Sequence, residues 1–180
     1  MKLLLISIFA LLGTLAGIPN KTVAKVDLKN FSGTWYCLYS IPTMFDKGSR
    51  EMTTHYTLNK DGYYDVFSTC KKDQDPQIHS FRSKIFPVPN TNNSQLKAQF
   101  IWPIKVDYWV IDLADDYSYV VVGHPDYRFL FIMARKPEMD KKLYEQIITR
   151  CKAMGYPVEK LVSQQQHPLP VTGLPLANGG

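Results

Sequence analysis

Apolar and polar residues alternate through most of the middle of the chain. Segment 95–102 shows this most clearly, because Leu96, Ala98 and Phe100 share one face and polar residues stand between them. A period of two is typical of a strand with one buried face. Seven further segments are rich in β-branched and aromatic residues and are also predicted strands: 34–41, 52–59, 63–71, 78–86, 106–113, 117–122 and 127–134.

Turn residues separate these segments. Asp61-Gly62 joins two of them and is a strong hairpin signal, because Asp-Gly suits backbone with positive φ. The polar runs 90–94, 114–116 and 123–126 divide the others. Eight short strands at regular spacing favour an antiparallel sandwich or barrel over a parallel α/β sheet.

The period changes after the eighth strand. An apolar stripe at helical spacing follows, made of Leu143, Tyr144, Ile147, Ile148 and Cys151. Pro137 precedes this stripe and Gly155 follows it, which predicts one amphipathic helix over 138–154. We expect this helix to pack on the outside of the sheet, with a helical turn at 26–31 and a short strand within 158–165.

The charge pattern excludes one class of function. The chain has 21 Lys and Arg against 16 Asp and Glu, a formal net charge of +5. The basic residues are scattered among acidic ones, whereas nucleic-acid binders carry a basic stripe or patch. We therefore expect no nucleic-acid partner.

The N-terminus resembles an export signal. Lys2 precedes an apolar run over 3–12, and small residues allow cleavage after Ala16 or Ala24. Ile18 occupies the position of the lipidated cysteine in a bacterial lipobox. These features predict a signal peptide over 1–24, a folded domain over 25–166 and a flexible tail over 167–180. We expect a periplasmic or extracellular protein that is not lipid-anchored at residue 18.

Three cysteines are present: Cys37, Cys70 and Cys151. They allow one disulfide in three ways, and sequence does not select the pair. Their spacing matches no zinc pattern, so no metal site and no cofactor are predicted.

Three short motifs resemble those of the lipocalin family, in the same order and at similar separations. They are Gly-Thr-Trp-Tyr at 33–36, Gly-His-Pro-Asp-Tyr at 123–127, and Arg135 shortly before the predicted helix. Runs over 108–111, 129–137 and 155–160 are similar to the subgroup of bacterial lipocalins, plant temperature-induced lipocalins and apolipoprotein D. The resemblance covers about residues 26–165.

The resemblance implies an all-β fold, an eight-stranded antiparallel up-and-down barrel (a calyx) with the C-terminal helix outside. Gly33, Trp35 and Arg135 are then structural residues, with the arginine lying across the indole at the closed end. The implied function is to bind and transport or store a small hydrophobic ligand, a fatty acid or a lysophospholipid. The same resemblance suggests membrane lipid maintenance or stress, peripheral membrane contact, and a monomer or weak dimer.

Counting strand alternation from the motif residues predicts which side chains line the calyx. The residues predicted in this way are Tyr39, Tyr56, Val66, Phe100, Phe129 and Phe131, and the resemblance implies Tyr108 and Val110 as further lining residues. The alternative structural interpretation is that these residues fill the interior of the barrel and leave no cavity. The competing function is a calyx enzyme that acts on a lipid through the thiol of Cys37.

Overall fold

The computed structural model describes residues 20–44, 46–73 and 75–164. The predicted signal peptide up to residue 19, with Ala16 and Ile18, and the predicted tail lie outside these residues. Within the described part, eight antiparallel strands close into a barrel, one helix packs outside it, and a short ninth strand pairs with the first. This confirms the predicted fold class.

The elements follow the predicted order. Helix α1 (Leu28–Phe31) precedes the barrel, and the chain continues with β1 (Gly33–Ile41), β2 (Ser49–Leu58), β3 (Tyr64–Lys72), β4 (Asp75–Pro87), β5 (Gln95–Ile101), β6 (Ile104–Leu113), β7 (Tyr119–Gly123), β8 (Leu130–Ala134), α2 (Lys141–Ala153), a short 3-10 helix (Val158–Lys160) and β9 (Val162–Ser163).

Strand β1 closes the barrel because it pairs on both of its edges. Its first half pairs with β2, where Gly33 lies opposite Tyr56. Its second half pairs with β8, where Ile41 lies opposite Leu130. Segment 28–33 and the turns at 59–63, 88–94 and 114–118 therefore lie at one end, which we call the closed end. The loops at 42–48, 102–103 and 124–129 lie at the other, the open end.

A bulge in β1 changes which residues face inward. Cys37 pairs with Met133 and Tyr39 pairs with Ile132, so Leu38 is an extra residue in the strand. Beyond the bulge, Tyr39 points outward and stacks on Tyr144 of α2 at 4.1 Å. The prediction that Tyr39 lines the calyx is wrong, because simple alternation does not survive an inserted residue.

Helix α2 covers one outer face of the barrel. Its buried residues Ile147 and Cys151 pack against a cluster that includes Val121, Leu130 and Ile132. The helix begins at Lys141, three residues later than predicted, because the Asp140 side chain caps it by accepting a hydrogen bond from the Leu143 N–H at 3.1 Å. It ends before Gly155, whose φ of +97° suits a glycine.

Candidate functional site: the calyx

The closed end is sealed by an aromatic cluster around Trp35. This side chain is fully buried, and its indole N–H donates to the Phe31 carbonyl at 2.8 Å. The Phe31 ring lies 5.3 Å from Tyr56 and 5.9 Å from Tyr64, centroid to centroid. Since the buried N–H has its acceptor, the large ring fills this end without a polar penalty.

Arg135 ties this end together from outside. Its guanidinium lies 3.7 Å from the centroid of the Trp35 ring. It also donates to the carbonyl oxygens of Thr34 at 2.8 Å, Asn30 at 2.7 Å and Ser32 at 2.8 Å. The backbone makes these contacts through a sharp turn at Gly33, where φ is +94°. This is the arrangement that the resemblance implied.

A narrow space, which we call the inner chamber, lies above the aromatic cluster. Its volume is about 60 Å³. Its wall consists of Cys37, Thr43, Asp46, Met52, Thr54, Tyr56, Val66, Ser68, Phe81, Ser83, Ile85, Phe100, Tyr108, Phe131 and Met133. Most of these side chains are apolar, so the chamber suits part of a hydrocarbon chain.

A wider space, the outer chamber, continues toward the open end. Its volume is about 300 Å³, at the lower end of the range usual for ligand pockets. Its wall consists of Pro42, Thr43, Met44, Ala98, Phe100, Val106, Tyr108, His124, Arg128, Phe129 and Phe131. Four of these residues also line the inner chamber, so the two spaces meet and form one tapering calyx.

Hydroxyl groups in the inner chamber bond to one another. The hydroxyls of Tyr56 and Tyr108 are 2.6 Å apart, and those of Thr54 and Ser68 are 3.1 Å apart. Burial raises the pKa of both tyrosines, so neither phenol ionises near neutral pH. These four hydroxyl groups therefore bring oxygens into the wall without adding charge.

Asp46 brings a carboxyl group into the same wall. It lies in the loop between β1 and β2 and is 5% exposed. Its Oδ1 accepts from the Thr43 N–H at 2.6 Å and from the Thr43 hydroxyl. Its Oδ2 is buried and has no hydrogen-bond partner. Burial raises the pKa of this carboxyl, while the hydrogen bonds from Thr43 oppose that rise.

Cys37 lies in the inner chamber as an inactive thiol. It is 1% exposed, and burial followed by the nearby Asp46 carboxyl raises its pKa. The thiolate is the nucleophilic form, so this environment suppresses reactivity. His55 bonds instead to the Thr34 hydroxyl at 2.9 Å. Among the described residues, no group of three His, Cys, Asp or Glu side chains is arranged to hold a metal ion.

Six of the eight predicted lining residues line the two chambers. Tyr56, Val66, Phe100, Tyr108 and Phe131 line the inner chamber, and Phe129 lines the outer one. Val110 belongs to the buried cluster inside the barrel but is absent from the walls of both chambers.

Tyr39 also lies outside both chamber walls, since it packs under α2. The prediction omitted several lining residues, including Met52, Ile85 and the ionisable Asp46. Its neighbours Lys47, Gly48 and Ser49 are ordinary turn residues, and no pattern marked the aspartate as buried.

The motifs, the closed barrel and the tapering calyx define a class of protein. A family model described as a lipocalin-like domain matches residues 26–166. The chain belongs to the lipocalin family. Solved structures agree on the fold: apocrustacyanin A1 from lobster superposes with a TM-score of 0.65 at 13% identity, covering 79% of this chain and 81% of the other.

Relatives place the chain in the subgroup that its motifs resemble. It is 26% identical over 159 residues to the outer membrane lipoprotein Blc of Vibrio cholerae, covering 87% of this chain and 93% of that protein. It is 28% identical over 159 residues to temperature-induced lipocalin-1 of Arabidopsis thaliana, covering 83% and 84%. Apolipoprotein D of Macaca fascicularis is 32% identical over 93 residues, covering 51% and 47%.

Proposed function

We propose that this lipocalin binds and carries a small hydrophobic ligand of the fatty acid or lysophospholipid class in its calyx. The observation that carries the proposal is the tapering cavity, whose inner chamber has an apolar wall and whose outer chamber is wider and reaches the open end. Apolar burial contributes about 25 cal/mol per Å² of ligand surface, so an acyl chain supplies the affinity. Membership of the lipocalin family supports the same function.

Exposed apolar side chains at the open end support contact with a membrane. Met44 is 85% exposed and Trp102 is 83% exposed, and Ile101 and Ile104 flank Trp102 at the same turn. Exposed apolar clusters of this kind are typical of interaction sites. No helix among the described residues is long and apolar enough to cross a membrane. We infer a peripheral contact in which the open end meets the lipid surface and exchanges ligand.

We also propose that the protein is exported, and that cleavage follows Ala16 rather than Ala24. Residues between these sites hold the barrel: the Val23 N–H donates to the Val110 carbonyl at 2.9 Å, and Asn20 donates to the Pro125 carbonyl at 3.1 Å. Cleavage after Ala24 would remove both contacts. The Blc relatives are outer membrane lipoproteins, which supports an extracytoplasmic location.

The enzyme alternative has less support. It requires a reactive Cys37, and burial keeps that thiol protonated. Cys151, which lies under α2 outside the calyx, has a pKa raised to about 12, mainly by burial. The proposed mechanism is therefore reversible burial of the ligand without covalent chemistry.

The test is to fill the inner chamber and measure lipid binding. Ser83→Phe adds a ring to the chamber wall, whereas Arg82→Phe adds the same ring to the outer face of β4. We expect Ser83→Phe to weaken the binding of palmitoyl lysophosphatidylcholine at least tenfold in calorimetric titrations. Arg82→Phe should bind like the wild type. Equal binding by all three proteins would overturn the calyx as the binding site.

A further inference from the structure

Asp46 is an unusual group to find in the wall of an apolar chamber. A buried carboxyl oxygen without a hydrogen-bond partner costs free energy, because it has lost its hydration and gained nothing in return. The other polar pairs in the wall, Thr54 with Ser68 and Tyr56 with Tyr108, satisfy each other. The Oδ2 atom of Asp46 is left without a partner, so it needs an explanation of its own.

The geometry of the carboxyl leaves one atom available to a ligand. Its Oδ1 already accepts two hydrogen bonds from Thr43. A proton taken up by the group would therefore sit on Oδ2. An ionised Asp46 accepts a hydrogen bond at Oδ2, and a protonated one donates from it.

The surroundings of Asp46 favour a neutral partner over an anionic one. Tyr56, Tyr108 and the Cys37 thiol face the chamber from β2, β6 and β1, and burial holds all three in their neutral forms. Lys72 of β3 acts on the carboxyl through its charge but makes no ion pair with it in the described structure. A ligand carboxylate beside an ionised Asp46 would be repelled, and the inner chamber wall contains no Lys or Arg to offset that repulsion, since Arg128 lines only the outer chamber.

A ligand hydroxyl fits both states of Asp46, since it donates and accepts. The position also suits a polar group on an acyl lipid, because Thr43, which holds the carboxyl, lines both chambers. If the acyl chain of a lipid occupies one chamber, the glycerol carbons next to that chain lie where the inner and outer chambers meet, beside Thr43 and Asp46.

We propose that Asp46 is a specificity-determining residue, which binds a hydroxyl on the glycerol part of a monoacyl lipid and disfavours a free fatty acid carboxylate. This proposal rests on the proposed function, and it selects within the ligand classes named there. Monoacylglycerols and lysophospholipids both carry a free glycerol hydroxyl, so either class of lipid could make the proposed hydrogen bond with Asp46.

The experiment compares three lipids with the same acyl chain: monopalmitoylglycerol, palmitoyl lysophosphatidylcholine and palmitate. Each is titrated calorimetrically at neutral pH and below its micelle-forming concentration. We expect the wild type to bind monopalmitoylglycerol about tenfold more tightly than palmitate, the factor typical of one buried hydrogen bond. If palmitoyl lysophosphatidylcholine also binds about tenfold more tightly than palmitate, the site accepts both glycerol lipids. If it binds no more tightly than palmitate, the site is specific for monopalmitoylglycerol.

Variants of Asp46 then show whether this group sets the preference. Asp46→Asn keeps an acceptor for Thr43 and removes the charge. The ratio of the affinity for monopalmitoylglycerol to the affinity for palmitate should therefore fall to about one. Asp46→Ser provides a second variant with a smaller polar side chain. Asp61→Asn makes the same change of charge in the exposed turn after β2 and should keep the wild-type ratio.

Two results would overturn the inference in different ways. If palmitate and monopalmitoylglycerol bind the wild type equally, or if the preference survives both Asp46 variants, Asp46 does not set specificity and the proposed function stands. If none of the three lipids binds the wild type, the proposed function fails and the inference fails with it.

Discussion

The two ends of the barrel differ in how completely their aromatic rings are buried and their polar groups are hydrogen-bonded. At the closed end, Trp35 is fully buried with its N–H bonded, and Arg135 donates to four backbone carbonyls. At the open end, Trp102 is 83% exposed, and nearby in the calyx wall Asp46 keeps a buried oxygen unpaired. The first arrangement maximises stability. The second leaves apolar surface and hydrogen-bonding capacity unused, as expected where a ligand and a surface complete the contacts.

Replacing a tryptophan at each end gives the largest contrast. Trp35→Ala removes a buried ring and the N–H bond to Phe31, so we expect a loss of about 3–5 kcal/mol in the free energy of unfolding. Trp102→Ala removes an exposed ring, and the change should stay within about 0.5 kcal/mol. Urea denaturation measures both. Similar losses for the two variants would contradict the assignment of the closed end as the structural one.

The N-terminal segment provides the second comparison. A protein beginning at residue 25 lacks the bonds made by Asn20 and Val23, whereas a protein beginning at residue 17 retains them. At about 1 kcal/mol for each hydrogen bond, the shorter protein should be less stable by about 2–3 kcal/mol. Thermal unfolding of the two chains measures this difference. Equal stability would show that the contacts of Asn20 and Val23 do not stabilise the barrel.

A substitution at the open end should weaken membrane binding and leave the free energy of unfolding unchanged. We expect Trp102→Ala to reduce binding to phosphatidylcholine vesicles by about tenfold, since burying such a ring contributes a few kcal/mol and part of that is realised at an interface. Vesicle co-sedimentation is the measurement, with Phe67→Ala as a control for another exposed ring. Undiminished vesicle binding by Trp102→Ala would remove this turn from the proposed contact.

The smallest expected effect concerns pH. Burial raises the pKa of Asp46 in the folded protein above its unfolded value. The folded protein therefore holds this proton more tightly, and stability falls as the pH rises from the unfolded pKa through the folded one. Asp46→Asn lacks this titration, so its stability relative to the wild type should rise from about pH 4 toward neutrality.

Urea denaturation at several pH values measures that trend, with Asp61→Asn as the matched control. A difference between Asp46→Asn and the wild type that is the same at all pH values would show that the carboxyl titrates normally when buried.

Alternation predicted an antiparallel sandwich or barrel, and the resemblance of the spaced motifs to those of the lipocalins selected the barrel. Most residues of the middle strands alternate between the two faces of the barrel wall despite local register shifts, and Gly33, Trp35 and Arg135 meet at the closed end. The order of the elements follows from turn residues such as Asp61-Gly62, which are local signals.

The errors arose where local pattern does not determine geometry. Cys37, Leu38 and Tyr39 are all apolar, so nothing in the sequence marks the bulge that turns Tyr39 outward. Asp46 resembles a turn residue, and its burial depends on how the loop folds over the chamber. Both features are set by tertiary packing, which a period of two does not encode.

Native mass spectrometry of the protein purified without detergent tests the central claim most directly. We predict a complex with one monoacyl lipid, which Ser83→Phe loses and Arg82→Phe retains. A wild-type protein that carries no lipid, and that takes up neither monopalmitoylglycerol nor palmitoyl lysophosphatidylcholine when they are added, would contradict the account.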